Sequence, residues 1–355
     1  MLKRLAAVAA PATATASAYI IIRFRVTVTI LPQTSTTSLL EPIAADMRAV
    51  DAVIRQHLNS EVVLISQIAD YIIAAGGKRL RPVILLLIAN ALGYRGTAHH
   101  ALAGVVEFIH TATLLHDDVV DESDLRRGRD TANAVFGNAA SVLVGDFLYS
   151  RAFQMMVSAD NMRVMQILSD ATNVIAEGEV LQLLNMHDPD VTQERYLQVI
   201  RYKTAKLFEA AAQVGAILAG ADAVTEEAAA EYGRRIGTAF QLVDDLLDYT
   251  ASAAEMGKNA GDDLREGKPT LPLIHLLEHG TDAQKDMVRT AIMEGGTEHF
   301  DAIYAAIEQS GALDFTRAAA EREAAAAADA AAQFPPSQFR QTLIDLCAFS
   351  VQRKS

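Results

Sequence analysis

From position 39 onward, apolar and polar residues alternate with the spacing of a helix. Apolar positions recur every three or four residues over 43–58, 62–75, 83–92, 97–120, 141–158, 163–184, 193–218 and 225–249. Breakers fall between these segments. Gly76-Gly77 stop the second, and Pro82 sits in the first turn of the third, where a missing N–H costs nothing. Asp188-Pro189-Asp190 makes a further break, 257–269 reads as a polar, glycine-rich loop, and Pro335-Pro336 close an alanine-rich helix over 318–333. Strand alternation with hairpin signals is missing: the one β-like run is 26–30, and no short repeat of solenoid period is present. The pattern predicts one large all-α domain over 39–355 behind an N-terminal appendage, 1–38.

The appendage begins with Lys3 and Arg4, a short apolar run and Pro11, then an Ala/Thr/Ser stretch ending Ala16-Ser17-Ala18, the outline of a targeting segment. Pro11 breaks its apolar run. Arg23, Arg25 and Pro32 interrupt 19–31 well short of the ~20 apolar residues of a spanning helix. The reading adopted is a poorly ordered leader, or residues upstream of a later start such as Met47.

Composition narrows the picture. Aromatics are 6% with no Trp, while 51% of residues are hydrophobic, which suits close-packed helices better than a β-sandwich. A formal charge of −13 argues against a nucleic-acid partner, which needs a basic face. It leaves room for an anionic substrate held by local cations or by metal ions. The one cysteine, Cys347, can form neither an intrachain disulfide nor a zinc site alone, so a reducing cytoplasm is the expected setting.

The chemistry concentrates in two aspartate clusters. In Leu115-His116-Asp117-Asp118-Val119-Val120-Asp121, Asp117 and Asp121 lie four apart and share a helix face. Like charges at that spacing repel by a few tenths of a kcal/mol, so a hard divalent cation is a natural compensator. Gln241-Leu242-Val243-Asp244-Asp245-Leu246-Leu247-Asp248 repeats the D-D-x-x-D spacing within another apolar helix. One such cluster in an acidic chain reads equally well as a solvated helix end. Two copies inside hydrophobic helices read as carboxylate pairs holding Mg²⁺ around a single diphosphate.

Cations accompany them. Gly76-Gly77-Lys78-Arg79-Leu80-Arg81-Pro82 places three at a turn leading into a helix, without the spacing of a P-loop. Arg126-Arg127-Gly128-Arg129 follows the first cluster, Lys203-Thr204 lies in a helical segment, and Lys258 and Lys268 flank Gly261-Asp262-Asp263. Any single lysine here reads as a surface charge; together they suit diphosphate oxygens.

The runs GGKRLRP, LLHDDVVDESDLRRGRDTAN, KTAKLFEAA, GTAFQLVDDLLDYTA and GKNAGDDLREGKPTLPL resemble, in order, the trans-polyprenyl diphosphate synthases. The likeness covers 39 to the C-terminus and is strongest to bacterial long-chain members, through FIHTATLLHDDVVDESDLRRG. The resemblance implies the isoprenoid synthase fold, helices around a deep central cavity, working as a homodimer. It implies two or three Mg²⁺ per site, with Asp117, Asp121 and Asp244 as ligands and Asp118, Asp245 and Asp248 beside them. It implies that Lys78, Arg81, His110 and Arg127 hold isopentenyl diphosphate. Arg126, Lys203, Thr204, Gln241, Lys258 and Lys268 would serve the allylic diphosphate and its closing loop. His110 is two helical turns before Asp117, so spacing and resemblance agree on its face.

The expected reaction ionises the allylic diphosphate, adds the isopentenyl double bond to the cation and loses a proton, with released diphosphate as base. Each added isoprene lengthens the product by roughly one helical turn, ~5.4 Å. One turn before Asp117 stand Ala112 and Thr113, both small where short-chain members of the family carry bulky aromatics. A long product of about C40, for a quinone side chain, is expected, with Phe147, Phe153 or Met155 as candidate floor. Membrane contact would be peripheral at most, for product release. A shorter geranylgeranyl-type product and a non-catalytic subunit of a heteromeric synthase are the alternatives.

Overall fold

The structure, a computed structural model, describes residues 39–74, 76–126, 128–250, 261–296 and 298–353. The β-like run at 26–30, the leader 1–38, Arg127 and Lys258 lie outside the described residues.

A 3₁₀ turn, Glu41–Ile43, leads into α1 (Ala44–Leu58), followed by α2 (Val63–Ala74), α3 (Leu80–Ala91) and α4 (Ala98–Val120). Two short strands, β1 (Leu125–Arg126) and β2 (Arg129–Asp130), pair antiparallel with Leu125 opposite Asp130. Then come α5 (Ala132–Phe136), α6 (Asn138–Ser158), α7 (Met162–Asn185), α8 (Gln193–Ile200), α9 (Lys206–Leu218) and α10 (Ala223–Thr250). The chain continues as α11 (Asp262–Arg265), α12 (Leu271–His279), α13 (Asp282–Glu294), α14 (Phe300–Ser310), α15 (Ala312–Ala331) and α16 (Gln338–Gln352). The expected all-α class holds.

Side-chain caps define several starts. The Asn161 carboxamide oxygen accepts from Arg163 N and Val164 N at 3.0 and 3.1 Å, Thr192 caps α8, and Thr281 forms a capping box with Gln284.

The core is arranged about α3, whose Val83, Ile84, Leu85, Leu86, Leu87 and Ile88 are wholly buried. A helix apolar on all sides must be surrounded, and α3 packs against α4, α9 and α16. Around it, α4 packs on α1 and α6, while α10 packs on α9 and α15.

Three features depart from the sequence reading. The segment 193–218 is not one α-helix: Arg201–Ala205 forms a π-helical turn between α8 and α9. The loop 257–269 contains the short helix α11. The β1–β2 pair, too short to show a period of two, closes the turn after the first aspartate cluster.

Glycines seat the π turn. A Cβ on Gly178 of α7 would lie 2.6 Å from Lys203 N, and one on Gly237 of α10 would lie 2.7 Å from Ala205 Cα. Only glycine admits the backbone so closely from both sides. The π turn is thereby clamped, and it carries Lys203 and Thr204.

Candidate active site

A cavity of about 810 Å³ opens between α3, α4, α7, the π turn, α10 and α11. Asp117 and Asp121, at the end of α4, line it, as the four-residue spacing requires, and so do Thr113 and His110 one and two turns earlier. From the opposite wall, Asp244 and Asp245 of α10 face the same space, and Asp262 and Asp263 of α11 join them. Lys78, Arg81, Arg126, Lys203, Thr204, Gln241 and Lys268 also line it.

On the first wall the acids sit at the C-terminal end of α4, where the helix dipole already places negative charge. Cations offset both. Lys203 Nζ lies 2.6 Å from Glu179 and 3.8 Å from Asp117, and Lys268 Nζ is 3.3 Å from Asp121 and pairs with Glu266. Burial pushes the Asp117 carboxyl above its ordinary value. Lys203 opposes that shift, Asp121 adds to it, and Arg126 and Lys268 fail to cancel the sum. Burial likewise lifts Glu179 to about 7 despite Lys203. Burial alone would lower Lys268, but Asp121, Asp263 and Glu266 hold it above the ordinary lysine range.

On the second wall the acids are held mainly by hydrogen bonds. Asp245 accepts from the Tyr196 hydroxyl and, at 2.8 Å, from Gln241 Nε2, while Thr204 Oγ1 donates to Gln241 Oε1 at 3.0 Å. Burial and the nearby Asp263 raise Asp245 to about 7, against the lowering pull of Tyr196 and Gln241. Asp244 accepts from Arg353 Nη2 at 2.6 Å, and that guanidinium also lies 3.9 Å from the Phe240 ring centroid. Arg81 stacks on Phe208 at 4.3 Å, which fixes its guanidinium at the cavity edge.

Four of the six sequence-predicted aspartates therefore meet in one space, and two do not line it. Asp118 is 1% exposed and turned behind α4, where its Oδ1 accepts from Arg126 Nε at 2.8 Å and Nη2 at 2.6 Å. Asp248 is fully buried. Its Oδ2 accepts from Asp263 N at 3.2 Å and its carbonyl from Gly261 N at 3.2 Å, so it anchors the α11 turn. The expectation of an Asp244/Asp248 pair facing the cavity is corrected to Asp244 and Asp245, with Asp263 added.

Ala112 is wholly buried in the core and does not line the cavity, whereas Thr113 does. Met155 is buried in the core, Phe147 and Phe153 pack against it, and none of the three reaches the cavity. Sequence reasoning missed Glu179, Tyr196, Asp263 and Arg353. Only Asp263, inside a GDD run beside two lysines, carried a local signal.

The donor set fits hard divalent cations. Carboxylates from α4, α10 and α11 converge on one space, and oxygen donors of this kind suit Mg²⁺, which binds through a few carboxylates plus substrate phosphates. Of the residues lining the cavity, Asp117, Asp121, Asp244 and Asp245 could hold such an ion.

A sequence model of the polyprenyl synthetase family matches residues 62–309. The octaprenyl diphosphate synthase of Escherichia coli (strain K12) is 56% identical over 314 residues, covering 88% of this chain and 97% of that protein. An all-trans-nonaprenyl-diphosphate synthase (geranyl-diphosphate specific) from Rhodobacter capsulatus is 46% identical over 316 residues, 89% of this chain and 97% of that one. Among solved structures, a polyprenyl synthase from Caulobacter crescentus CB15 complexed with calcium and isoprenyl diphosphate superposes with a TM-score of 0.88. It is 45% identical and is matched over 92% of this chain and all of that one. With the helical cavity and its facing carboxylates, these likenesses establish that the chain belongs to the polyprenyl synthetase family, whose members are prenyltransferases.

Proposed function

We propose that the chain is a long-chain trans-polyprenyl diphosphate synthase that condenses isopentenyl diphosphate onto an allylic diphosphate, with farnesyl diphosphate as primer and a product of about C40 for a quinone side chain. The observation that carries this reading is the convergence of carboxylates from α4, α10 and α11 on one cavity that cations flank on both sides. The catalytic unit is 39–355, with 1–38 a leader.

Held by Asp117, Asp121, Asp244 and Asp245, Mg²⁺ would supply positive charge to a departing diphosphate. Lys203, Thr204, Gln241 and Lys268 orient the allylic diphosphate between the two acid walls. Lys78, Arg81 and His110 bind isopentenyl diphosphate at the mouth of α3, and Arg127 and Lys258 belong to the same two sets. Arg126 braces α4 through Asp118. Tyr196 keeps one Asp245 oxygen fixed. Apolar residues such as Leu114, Phe208 and Phe240 keep water from the allylic cation that ionisation leaves. The isopentenyl C3–C4 double bond attacks that cation, and the released diphosphate takes the proton.

The chain works in the cytoplasm as a homodimer. Among the described residues no helix is long and apolar enough to cross a membrane. Val142 and Leu143 of α6 and Val180, Leu183 and Leu184 of α7 are exposed, an apolar face suited to a second copy. Sedimentation of the purified chain at twice the monomer mass tests this.

Incorporation of labelled isopentenyl diphosphate, with mass spectrometry of the product from a farnesyl primer, tests the main reading. Absence of incorporation by the chain alone favours the subunit alternative, and a product stopping at C20 favours the geranylgeranyl one. Thr113→Phe should shorten the product by one or more isoprene units, since a ring there projects into the cavity, whereas Ala112→Phe should overpack the core at a cost of about 1–3 kcal/mol. An unchanged product from Thr113→Phe would show that this wall does not limit growth.

A further inference from the structure

A second set of metal-competent side chains lies where α1, α3 and α4 meet, apart from the cavity. Asp46 is in the first turn of α1, and His99 and His100 are in the first turn of α4. One ligand-capable atom from each of these three residues lies within 4.8 Å of the others. His100 Nε2 is 2.8 Å from Asp46 Oδ1, and His99 Nε2 is 3.5 Å from the same oxygen. The second carboxylate oxygen accepts from Asn90 Nδ2 at 2.9 Å, at the end of α3. The two imidazole rings lie against each other, centroids 3.9 Å apart and planes inclined by 33°.

As they stand, these groups are poorly matched to one another. A single oxygen serves two imidazoles, and only His100 reaches it at a good hydrogen-bonding distance. His99 is 5% exposed, and its Nδ1 has no hydrogen-bond partner. Buried polar groups so thinly satisfied call for an explanation, and an unplaced ion is one of the standard ones.

We propose that Asp46, His99 and His100 form a second cation site that takes a borderline first-row dication such as Zn²⁺ in preference to Mg²⁺. Two imidazole nitrogens with one carboxylate oxygen suit Zn²⁺, whereas Mg²⁺ favours oxygen donors. Donors about 2.05 Å from a common tetrahedral ion stand roughly 3.3 Å apart, and the observed 2.8 and 3.5 Å contacts bracket that separation. The Asp46 and His100 side chains are 23% and 19% exposed, so an ion can enter and a water can complete its shell. Asn90 supplies the outer hydrogen bond that orients the carboxylate.

The site is separate from the reaction centre. None of the three residues lines the cavity, and the 17 residues from His100 to Asp117 span about 25 Å of α4 at helical rise. An ion here pins the start of α4 to α1, at the far end of the helix that carries Asp117 and Asp121. Its role is to hold that helix.

The test uses the tag-free full chain, stripped with chelator and returned to excess Mg²⁺ so that the carboxylate cavity is filled. Calorimetric titration with Zn²⁺ should then give one equivalent per chain. His99→Gln with His100→Gln should weaken it by roughly 100-fold while leaving prenyl transfer unchanged, and Asp117→Asn should leave it intact. Co²⁺ added to the unaltered chain gives an independent reading that does not depend on a variant folding. It should develop the visible d–d bands of a mixed nitrogen–oxygen site, which Zn²⁺ then bleaches. The proposal is overturned if no Zn²⁺ binds over Mg²⁺, if the equivalent disappears in Asp117→Asn but survives the histidine changes, or if Co²⁺ gives no such bands.

Discussion

The two acid-bearing walls of the cavity carry the same sequence spacing but are held by different sets of partners. On α4, Asp117 and Asp121 stand against lysine ammonium groups, Lys203 and Lys268, which also engage Glu179 and Glu266. On α10, Asp245 is fixed by a phenol and a carboxamide, and Asp244 by the Arg353 guanidinium. Flexible ammonium groups can move from carboxylate to phosphate when a diphosphate arrives. The buried Tyr196–Asp245 hydrogen bond of the α10 wall cannot break without leaving a polar atom stranded. The difference predicts that the α4 wall exchanges partners during turnover while Asp245 on α10 stays put.

The sharpest challenge to this contrast sets a cavity aspartate against a buried one. Asp117→Asn should lower turnover by roughly 10³-fold with an unchanged circular dichroism spectrum, since it removes charge that faces the substrate. Asp248→Asn should chiefly lower the melting temperature, because that carboxylate anchors α11 and does not line the cavity. Equal losses of turnover at both positions, with stability unaltered, would erase the distinction between lining and anchoring acids.

A smaller effect is expected behind the exchanging wall. Gly178→Ala would press a methyl group against the Lys203 backbone, costing about 1–3 kcal/mol and displacing the ammonium from Asp117. Turnover should fall by roughly 10–100-fold, since misplacing a positioning group by an ångström costs about that much. A stable, fully active Gly178→Ala enzyme would mean that the π turn need not be clamped.

On the fixed wall, Tyr196→Phe removes a hydrogen bond that lowers the Asp245 pKa, so that carboxyl becomes harder to ionise. The acidic limb of Mg²⁺ binding should move up by about one pH unit, read by titration between pH 6 and 8. No movement would place Asp245 outside the metal's reach.

The smallest effect is a linkage. Asp245 and Glu179 are both raised to about 7 in the folded chain. Their contribution to stability is fully present below the ordinary carboxylate pKa of about 4 and is lost as pH rises through 7. Chelated protein should therefore melt a few degrees lower at pH 8 than at pH 5, and Mg²⁺ should restore the difference at pH 8. A flat profile without metal would show that neither acid is held protonated.

Much of this was legible beforehand, and the reasons divide by distance along the chain. Helical periodicity located α1 to α4, α6, α7 and α10, and α8 with α9 as one segment, because their apolar faces are local facts, and the four-residue spacing put Asp117 and Asp121 on one face. The same geometry separates Thr113 from Ala112. Counted back from Asp117 at 100° per residue, Thr113 lies about 40° away and Ala112 about 140° away, toward the core. The wheel could have told them apart; treating both as one turn back obscured it. At Asp248 the spacing rule misled, since the loop after α10 folds back to occupy that carboxylate. Glu179, Tyr196 and Arg353 reach the cavity from remote segments, and no local pattern marks a residue whose partner is more than twenty positions away. The π turn was equally hidden, because the glycines that make room for it, Gly178 and Gly237, lie on neighbouring helices.

That turn makes the enzyme sensitive to chain length in an unusual place. A π turn holds one residue more than an α-helix of the same span, so excising any one of residues 201–205 would yield an uninterrupted helix with good propensity and satisfied backbone. Because the turn absorbs its extra residue locally, α8 and α9 would keep their faces and only the residues of the turn would re-seat, carrying ammonium and hydroxyl out of place while the chain still folded. A single-codon deletion there, even one that spares Lys203 and Thr204, would misplace both and cost turnover.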